Sequence, residues 1–312
     1  MVRTVDTASP WYVPGVALTV LAGLLIGMCG FVAGLSHLQY ARSQALAYAE
    51  LRYELARATA PVGQTFTDVP ESDTPGAGEP VDAGEEPDAE PQARELLHPL
   101  GTPVALLTAE AAGLRDVVVL EGTTSGVTAG GPGHERNSVM PGQEGWSLLY
   151  GRAWSHGAPF RGITDLAPGD EVTLTTGQGV HTYEVTGLRR PGQPLPRREP
   201  GQGRLVLGTA EGSPFVPQSV VYVDALLTSE VQPVPARRML ALGPGEKIMA
   251  GDTSSWPTIL LWAQGLAASA FAVAWARRRW GRPQAWVVGV PLLTLTGLGT
   301  FRALTLLLPN LL

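Results

Sequence analysis

The stretch Trp146–Thr176, WSLLYGRAWSHGAPFRGITDLAPGDEVTLTT, decides the class of fold. Two short runs rich in β-forming residues, Ser147–Tyr150 and Glu171–Thr175, are separated by the turn-forming sequence Ala167-Pro168-Gly169-Asp170. Branched, aromatic and hydroxyl side chains favour strands, whereas a Pro-Gly pair favours a sharp change of direction. This alternation predicts short strands joined by tight loops.

Further runs of the same kind lie on both sides of this stretch. They are Val104–Leu107, Val117–Leu120, Val180–Leu188, Arg204–Leu207 and Ser219–Leu227. The break Thr176-Gly177-Gln178-Gly179 between two alternating runs predicts a hairpin. We therefore expect an all-β barrel or sandwich over residues 96–230.

Apolar blocks near the two ends of the chain predict one N-terminal and two C-terminal transmembrane helices. Val13–Leu35, Pro257–Ala276 and Ala285–Leu308 are each long enough to cross a hydrocarbon core of roughly 30 Å at about 1.5 Å per residue. A cleaved signal peptide is the alternative for the first block, but residues 1–12 lack a strongly basic region and the helical pattern continues to Arg57. Arg302, inside the third block, is expected to reach outward to the interface or to pair with a partner helix.

The loop between the second and third blocks predicts the topology. Arg277, Arg278, Arg279 and Arg282 lie together there, and arginines beside membrane helices favour the cytoplasmic side. The β domain is then extracellular, and the chain is a multi-pass protein of the plasma membrane.

The remaining segments are linkers by composition. Leu38–Ala58 has a helical apolar pattern, whereas Asp68–Glu95 is rich in Pro, Gly, Asp and Glu and cannot bury enough surface to order itself. The predicted organisation is a cytoplasmic N-terminus (1–12), transmembrane helix (13–36), helical stalk (37–60), acidic disordered linker (61–95), β domain (96–230), connector (231–256), transmembrane helix (257–276), cytoplasmic Arg-rich loop (277–284), transmembrane helix (285–308) and extracellular stub (309–312). Much of the net charge of −6 is concentrated in the acidic linker, and no basic field suited to nucleic acid is present.

Cysteine and histidine usage limits the chemistry of the β domain. The only cysteine is Cys29, within the first apolar block, so the β domain has neither a disulfide nor a thiol nucleophile. The five histidines, His37, His98, His134, His156 and His181, lack the spacing of a metal-ligand set. We expect no metal and no other cofactor.

From Gly131 onward the sequence resembles bacterial sortases, particularly the class E group of actinobacteria. The segments that carry the resemblance are GPGHERNSVMPGQEG (131–145), WSLLYGRAWSHGAPF (146–160) with an AGHR-like motif and a GAPF turn, ITDLAPGDEVTLTT (163–176), RLVLGTA (204–210) in place of a TLTTC-like motif, and SVVYVDALL (219–227). Several ordered motifs with compatible spacing make chance agreement improbable. The resemblance covers roughly residues 96 to 230 and implies a sortase-like β-barrel.

The resemblance also implies a catalytic apparatus, which this sequence lacks. In sortases a cysteine thiolate attacks a threonine carbonyl of a sorting signal, a histidine protonates the leaving amine, and an arginine stabilises the oxyanion. The matching positions hold Arg152 for histidine, Ala210 for cysteine, and Ser219 for arginine, or Gln218 if the register slips by one. A methyl group cannot attack a carbonyl, and a guanidinium does not act as a general acid. The prediction is a catalytically inactive protein.

Neighbouring polar residues define the alternative, a divergent transpeptidase or hydrolase. Thr209 precedes the nucleophile position but is expected to face away from the groove, and His156 is expected to be an exposed loop residue. Ser213 has no evident base nearby. His134 matches a family residue outside the catalytic set, and a structural hydrogen-bonding role is expected for it.

A binding role remains open for the altered groove and the loop beside it. Arg152 adds a positive charge that suits a carboxylate or acidic peptide, or it pairs with Glu171 or Glu184. The basic loop Arg189–Gly203 either captures an acidic segment or is simply solvated. Its four arginines are Arg189, Arg190, Arg197 and Arg198.

The membrane hairpin is a second candidate contact surface. Small residues there permit close helix packing, either within the chain or against another membrane protein. They are Gly265, Ala267, Ala268, Ser269, Gly297 and Gly299. The expected function is that of an inactive scaffold or accessory subunit of the cell envelope, whose partners are the membrane, another envelope protein and a sorting-signal-like or acidic peptide.

Overall fold

The computed structural model describes residues 12–62, 98–197, 199–213, 216–235, 241–279 and 281–312. The predicted cytoplasmic N-terminus and acidic linker lie outside the described residues except for Tyr12, Pro61 and Val62, and Arg198 lies outside them as well. The limits proposed for these segments stay predictions.

Eight strands form a closed barrel, which agrees with the resemblance and decides between the barrel and the sandwich that the strand pattern left open. The strands are β1 (Pro103–Ala109), β2 (Leu114–Glu121), β3 (Gly133–His134), β4 (Gly145–Tyr150), β5 (Glu171–Thr176), β6 (Gly179–Arg189), β7 (Gly203–Ser213) and β8 (Val216–Leu227). Around the barrel their order is β1-β2-β3-β4-β7-β8-β6-β5. Alternate side chains point inward and form one core that includes Leu107, Leu149, Tyr183, Leu205 and Val223.

The sequence located seven of these strands. Each predicted run falls within one strand, and the predicted hairpin pairs Thr176 with Gly179 at the β5–β6 turn. The pattern did not indicate β3, because it is only two residues long and carries no alternation of its own.

The first apolar helix continues without interruption into the segment predicted as a stalk. Helix α1 (Tyr12–Gly30), a π-helical turn (Phe31–Leu35) and helix α2 (Ser36–Arg57) follow one another directly. Helix α2 lies against the barrel, where its Ala47 and Leu51 pack with Val118, Leu120 and Val127. The stalk is therefore docked on the β domain and does not simply hold it away from the membrane.

Gln44 fixes this docking through main-chain hydrogen bonds. Its side chain accepts from the N–H of Val118 at 2.8 Å and donates to the carbonyls of Val118 and Gly130 at 3.0 and 2.9 Å. The short helix α3 (Ser125–Thr128) lies beside this contact.

Two apolar helices, α4 (Trp256–Arg279) and α5 (Arg282–Thr305), form the C-terminal hairpin. In the described part of the chain, three helical stretches are long and apolar enough to cross a membrane: Ala22–Arg57, Thr253–Arg279 and Pro283–Thr305. Gly289 faces Val273 and Gly299 faces the Trp262 ring so closely that a methyl group at either glycine would meet the neighbouring side chain. Gly289 and Gly299 therefore permit close packing within the hairpin, whereas nothing lies within 4 Å of the Cβ position of Gly297.

The segment after α5 turns back to the barrel. Helix α5 ends at Thr305, three residues before the predicted limit of the third apolar block. The connector approaches the same place through 3₁₀ turns at Pro244–Glu246 and Thr253–Ser255. Asn310 donates its main-chain N–H to the carbonyl of Ala250, which joins the two segments.

Candidate functional groove

Strand pairing brings together the three positions that the sequence motifs singled out. Parallel pairing of β4 and β7 places Tyr150 beside Gly208, so Arg152 and Ala210 each lie two residues beyond this pair. Antiparallel pairing of β7 and β8 places Ala210 opposite Val220. Ser219 lies next to Val220, opposite Glu211. The three motif positions therefore lie together at one end of adjacent strands. We call this region, which contains Arg152, Ala210 and Ser219, the groove.

Ala210 lies at the bottom of this groove, and its methyl group is covered. The residue is 3% exposed and belongs to a buried cluster with Tyr150, Ala153, Val220 and Leu311. An alanine side chain has no lone pair and cannot be a nucleophile. At this position the groove offers only an apolar contact.

The cover is supplied by residues 308–312, Leu-Pro-Asn-Leu-Leu. Leu311 and Leu312 are 0% and 1% exposed. The carbonyl of Leu311 accepts from the N–H of Ala153 at 3.1 Å, and that of Leu312 accepts from the N–H of Ser155 at 3.2 Å. The Asn310 amide also donates to the carbonyls of Thr123 and Lys247 at 2.6 and 3.0 Å. The predicted extracellular stub is thus an integral part of the folded domain.

Arg152 is fully buried and is held by hydroxyl and carbonyl oxygens. Its Nη1 donates to Ser155 Oγ at 3.0 Å, and its Nη2 donates to the carbonyl and to Oγ of Ser125, both at 2.8 Å. Burial lowers the pKa of Arg152 to about 9, so the guanidinium is still protonated at neutral pH.

The expectation that Arg152 pairs with Glu171 or Glu184 is wrong. Those two residues pair with each other across β5 and β6, and both are exposed. No carboxylate of the described residues forms an ion pair with Arg152, and its Nε has no hydrogen-bond partner among them. A buried positive charge without an ion-pair partner is costly.

The expectation that His156 is exposed is also wrong. The residue is 3% exposed, adopts a left-handed backbone with φ of 48°, and donates its N–H to Ser36 Oγ at the start of α2 at 3.3 Å. Burial, the charge of Arg152 and the nearby His37 lower the pKa of His156 to about 3. Its imidazole is therefore neutral at physiological pH.

Ser155 links the two residues, and sequence reasoning missed it. Its Oγ lies 3.1 Å from His156 Nδ1 and accepts from Arg152, which places a hydroxyl beside an imidazole as in hydrolases. Ser155 Oγ donates to the carbonyl of Leu312 at 2.6 Å, so the hydrogen of the 3.1 Å contact belongs to His156 Nδ1. In this arrangement the imidazole donates to the serine and does not accept its proton. Sequence reasoning missed Ser155 because the contact that fixes the direction of its proton is with Leu312, 157 residues later.

Thr209 has a structural contact. It is buried, and its Oγ1 donates to the carbonyl of Gly151 at 2.8 Å, which ties β7 to the loop after β4. Ser213, at the end of β7, is exposed.

Two of the loop arginines are already paired within the domain. Arg189 forms hydrogen bonds of 2.8 and 3.1 Å with Asp224, and its guanidinium lies 4.6 Å above the Tyr222 ring. Arg190 binds Glu211 at 2.7 and 3.0 Å, and Glu211 accepts from Ser219 at 3.2 Å. The guanidinium of Arg190 therefore lies near Ser219, but the carboxylate of Glu211 lies between the two and offsets the positive charge.

Arg197 remains exposed in this loop, and Arg198 lies outside the described residues. Within the described ranges, no group of three or more His, Cys, Asp or Glu side chains is placed to hold a metal ion.

His134 is buried on β3 and contacts the carboxylate of Glu121. Its Nδ1 lies 2.8 Å from Glu121, and its Nε2 lies 3.0 Å from the carbonyl of Val139 and 2.9 Å from Ser138 Oγ. Burial opposes the charge on His134, but the attraction and hydrogen bond of Glu121 outweigh it, so the pKa of His134 is raised. These contacts are of the structural kind that the sequence predicted.

Comparison with known proteins gives a family match for the barrel. A model of the sortase domain matches residues 107–212. Sortase E from Streptomyces avermitilis is 32% identical over 42% of this chain and 91% of its own, with a TM-score of 0.36. A Clostridium perfringens sortase D5 transpeptidase is 25% identical over 41% and 80%, with a TM-score of 0.36. No curated protein matches the chain.

Proposed function

Since residues 107–212 form a sortase domain, we propose that this chain is a membrane-anchored, sortase-like protein that does not catalyse transpeptidation. It acts as a scaffold, binding or accessory subunit in the cell envelope. The observation that carries this proposal is the methyl group of Ala210, which stands at the nucleophile position under Leu311.

The chemistry of the three motif positions supports inactivity. Transpeptidation needs a nucleophile that is also a good leaving group, together with a proton donor that titrates near the working pH. Ala210 offers no such atom, and Arg152 is a buried guanidinium whose pKa of about 9 keeps it protonated at neutral pH. Ser219 is neutral and donates to Glu211.

The second candidate is a divergent transpeptidase or hydrolase, and the contact between Ser155 and His156 is the observation that favours it. Three features weigh against it: a pKa of about 3 makes His156 a weak base, the Ser155 proton is directed at Leu312, and residues 308–312 cover the site. We therefore favour the catalytically inactive scaffold over the hydrolase alternative.

The proposed location is the plasma membrane, with the barrel outside the cell. Three helical stretches are able to span the bilayer, and Arg277, Arg278 and Arg279 lie together at the end of α4 that favours the cytoplasmic side. Another envelope protein is the proposed partner, and the exposed Arg197 leaves one cation of the basic loop free to meet an acidic peptide.

A chemical probe separates the two candidates. The full chain in detergent micelles is incubated with a fluorophosphonate, which labels activated serines, and separately with a sorting-signal peptide and an amine. We expect no labelled serine and no new amide by mass spectrometry. Labelling that disappears in Ser155→Ala but persists in the exposed Ser213→Ala control would establish the hydrolase alternative instead.

A further inference from the structure

A pocket of about 590 Å³ lies where the stalk, the end of α5 and the loop after α3 meet. Helix α2 contributes Gln39, Arg42 and Ser43, helix α5 contributes Arg302, and His156 forms part of its wall. We call it the interfacial pocket. Arg152, Ala210 and Ser219 do not line it, and the proposed function does not depend on it.

The pocket carries positive charge with no internal counter-charge. Arg42 and Arg302 both line it, and no Asp or Glu is among its lining residues. Neither arginine forms an ion pair with any residue that the structure describes. Both arginines are exposed, and two cations that line one cavity favour an anion between them.

The position of the two arginines relative to the membrane selects the anion. Helix α5 has 24 residues, which at about 1.5 Å per residue is enough to cross a core of roughly 30 Å. Arg302 lies one turn before its end, and Arg42 lies seven residues beyond the π-helical turn, on the barrel side of the first apolar block. On the proposed topology both residues would lie on the barrel side of the bilayer, near the lipid headgroups.

From this geometry we propose that the interfacial pocket binds the phosphate of an anionic phospholipid, held between Arg42 and Arg302. The planar guanidinium fork suits phosphate oxygens, and Gln39 and Ser43 add polar groups to the same wall. Because no carboxylate lines the pocket, it offers nothing to the ammonium group of a zwitterionic lipid. Anionic headgroups are therefore preferred.

A bound lipid would join three parts of the molecule. Arg42 belongs to the stalk, Arg302 to the membrane hairpin, and the wall residue His156 is adjacent to Ser155, which holds Leu312. The phosphate would hold the stalk, the hairpin and the covered groove together. It would thereby fix the distance of the barrel from the membrane. This inference rests on the proposed membrane anchoring and is independent of whether the groove is active.

The test uses the full chain, delipidated in maltoside micelles and titrated with phosphatidylglycerol. Retention of lipid is read by native mass spectrometry and stabilisation by the midpoint of thermal unfolding. We expect one phosphatidylglycerol per chain and a raised midpoint, with affinity about thirtyfold weaker in Arg42→Gln/Arg302→Gln. Arg52→Gln, exposed on the same helix but outside the pocket, is the matched control and should behave as the wild type.

Three results would overturn the inference. They are unchanged lipid retention in the double variant, equal retention of phosphatidylcholine, and equal stabilisation by inorganic phosphate alone, which would indicate a site for a free anion. Circular dichroism of the double variant checks its fold. A chain that stays soluble without detergent would refute membrane anchoring itself, and this outcome is distinct from the other three.

Discussion

Leu311 packs in the same buried cluster as Ala210, 101 residues earlier in the chain, at the position where the sequence resemblance predicts the sortase cysteine. The contact joins the segment after α5 to the floor of the groove. Because Leu311 and Leu312 also bond to Ala153 and Ser155 through their carbonyls, the groove is closed by the chain itself. A ligand that enters it must first displace residues 308–312.

Leu311→Ala is expected to lower the free energy of unfolding by about 2–5 kcal/mol, because it removes buried methyl groups and leaves a cavity above Ala210. Urea unfolding of the full chain in micelles measures the change. Leu195→Ala is the control, since Leu195 is 67% exposed in the loop before β7 and its truncation should change stability by less than about 0.5 kcal/mol. Equal effects of the two variants would contradict the burial of Leu311.

Arg152→Met is expected to be neutral or to stabilise the fold by about 1–4 kcal/mol, because it replaces an uncompensated buried charge with an apolar side chain of similar length. Burial lowers the folded-state pKa of Arg152 to about 9, so the cost of the charge is fully present below that pH and is relieved as the pH rises above it. The gain from methionine should therefore shrink above pH 9. Urea unfolding of both proteins between pH 7 and 10 checks this.

The exposed Arg161→Met variant is the control for Arg152→Met and should show little change in stability at either pH. Strong destabilisation by Arg152→Met at pH 7 would mean that the guanidinium has a charged partner, contrary to the contacts described above.

His134→Gln is expected to cost about 3–5 kcal/mol, because it leaves the buried carboxylate of Glu121 without its cationic partner. The folded-state pKa of His134 is raised above its usual 6.5, so the stability from the charged pair is complete below pH 6.5 and declines as the pH rises through the folded value. The difference between wild type and variant should therefore be largest at low pH. If the difference in the free energy of unfolding between wild type and variant grows with pH, the fold stabilises the neutral imidazole of His134 and not the charged one.

The double variant Glu121→Gln/His134→Gln should cost less than the sum of the two single variants, since the two residues share one contact and the double variant removes both of its charges. Unfolding of all four proteins at one pH below 6.5 completes the cycle. Additive costs would show that the two residues do not interact.

Gln44→Leu is expected to destabilise the docking of the stalk by about 1–3 kcal/mol, because it leaves the Val118 N–H and the carbonyls of Val118 and Gly130 without partners. Hydrogen exchange of α2 and β2 reports the loosened contact. Ala49→Gln, on an exposed part of the same helix, should leave the exchange rates unchanged. Unaltered protection in Gln44→Leu would mean that apolar packing alone holds the stalk.

Local patterns predicted seven of the eight barrel strands and the three apolar helices. Strand runs such as Val180–Leu188 and apolar blocks such as Pro257–Ala276 carry their own periodicity and length, so the surroundings add little to their recognition. The identities of Arg152, Ala210 and Ser219 at the motif positions also needed no coordinates. Each of these features depends on residues close together in the sequence.

Only the tertiary structure decided what surrounds those positions. The burial of His156 depends on Ser36, 120 residues earlier, and the closure of the groove depends on the bond from Ser155 to Leu312, 157 residues later. Likewise, Arg42 and Arg302 share one pocket because α2 and α5 meet at the barrel. Contacts of this kind form when elements that are distant in the sequence pack together. The polarity of a single residue does not predict which distant residue will bury it.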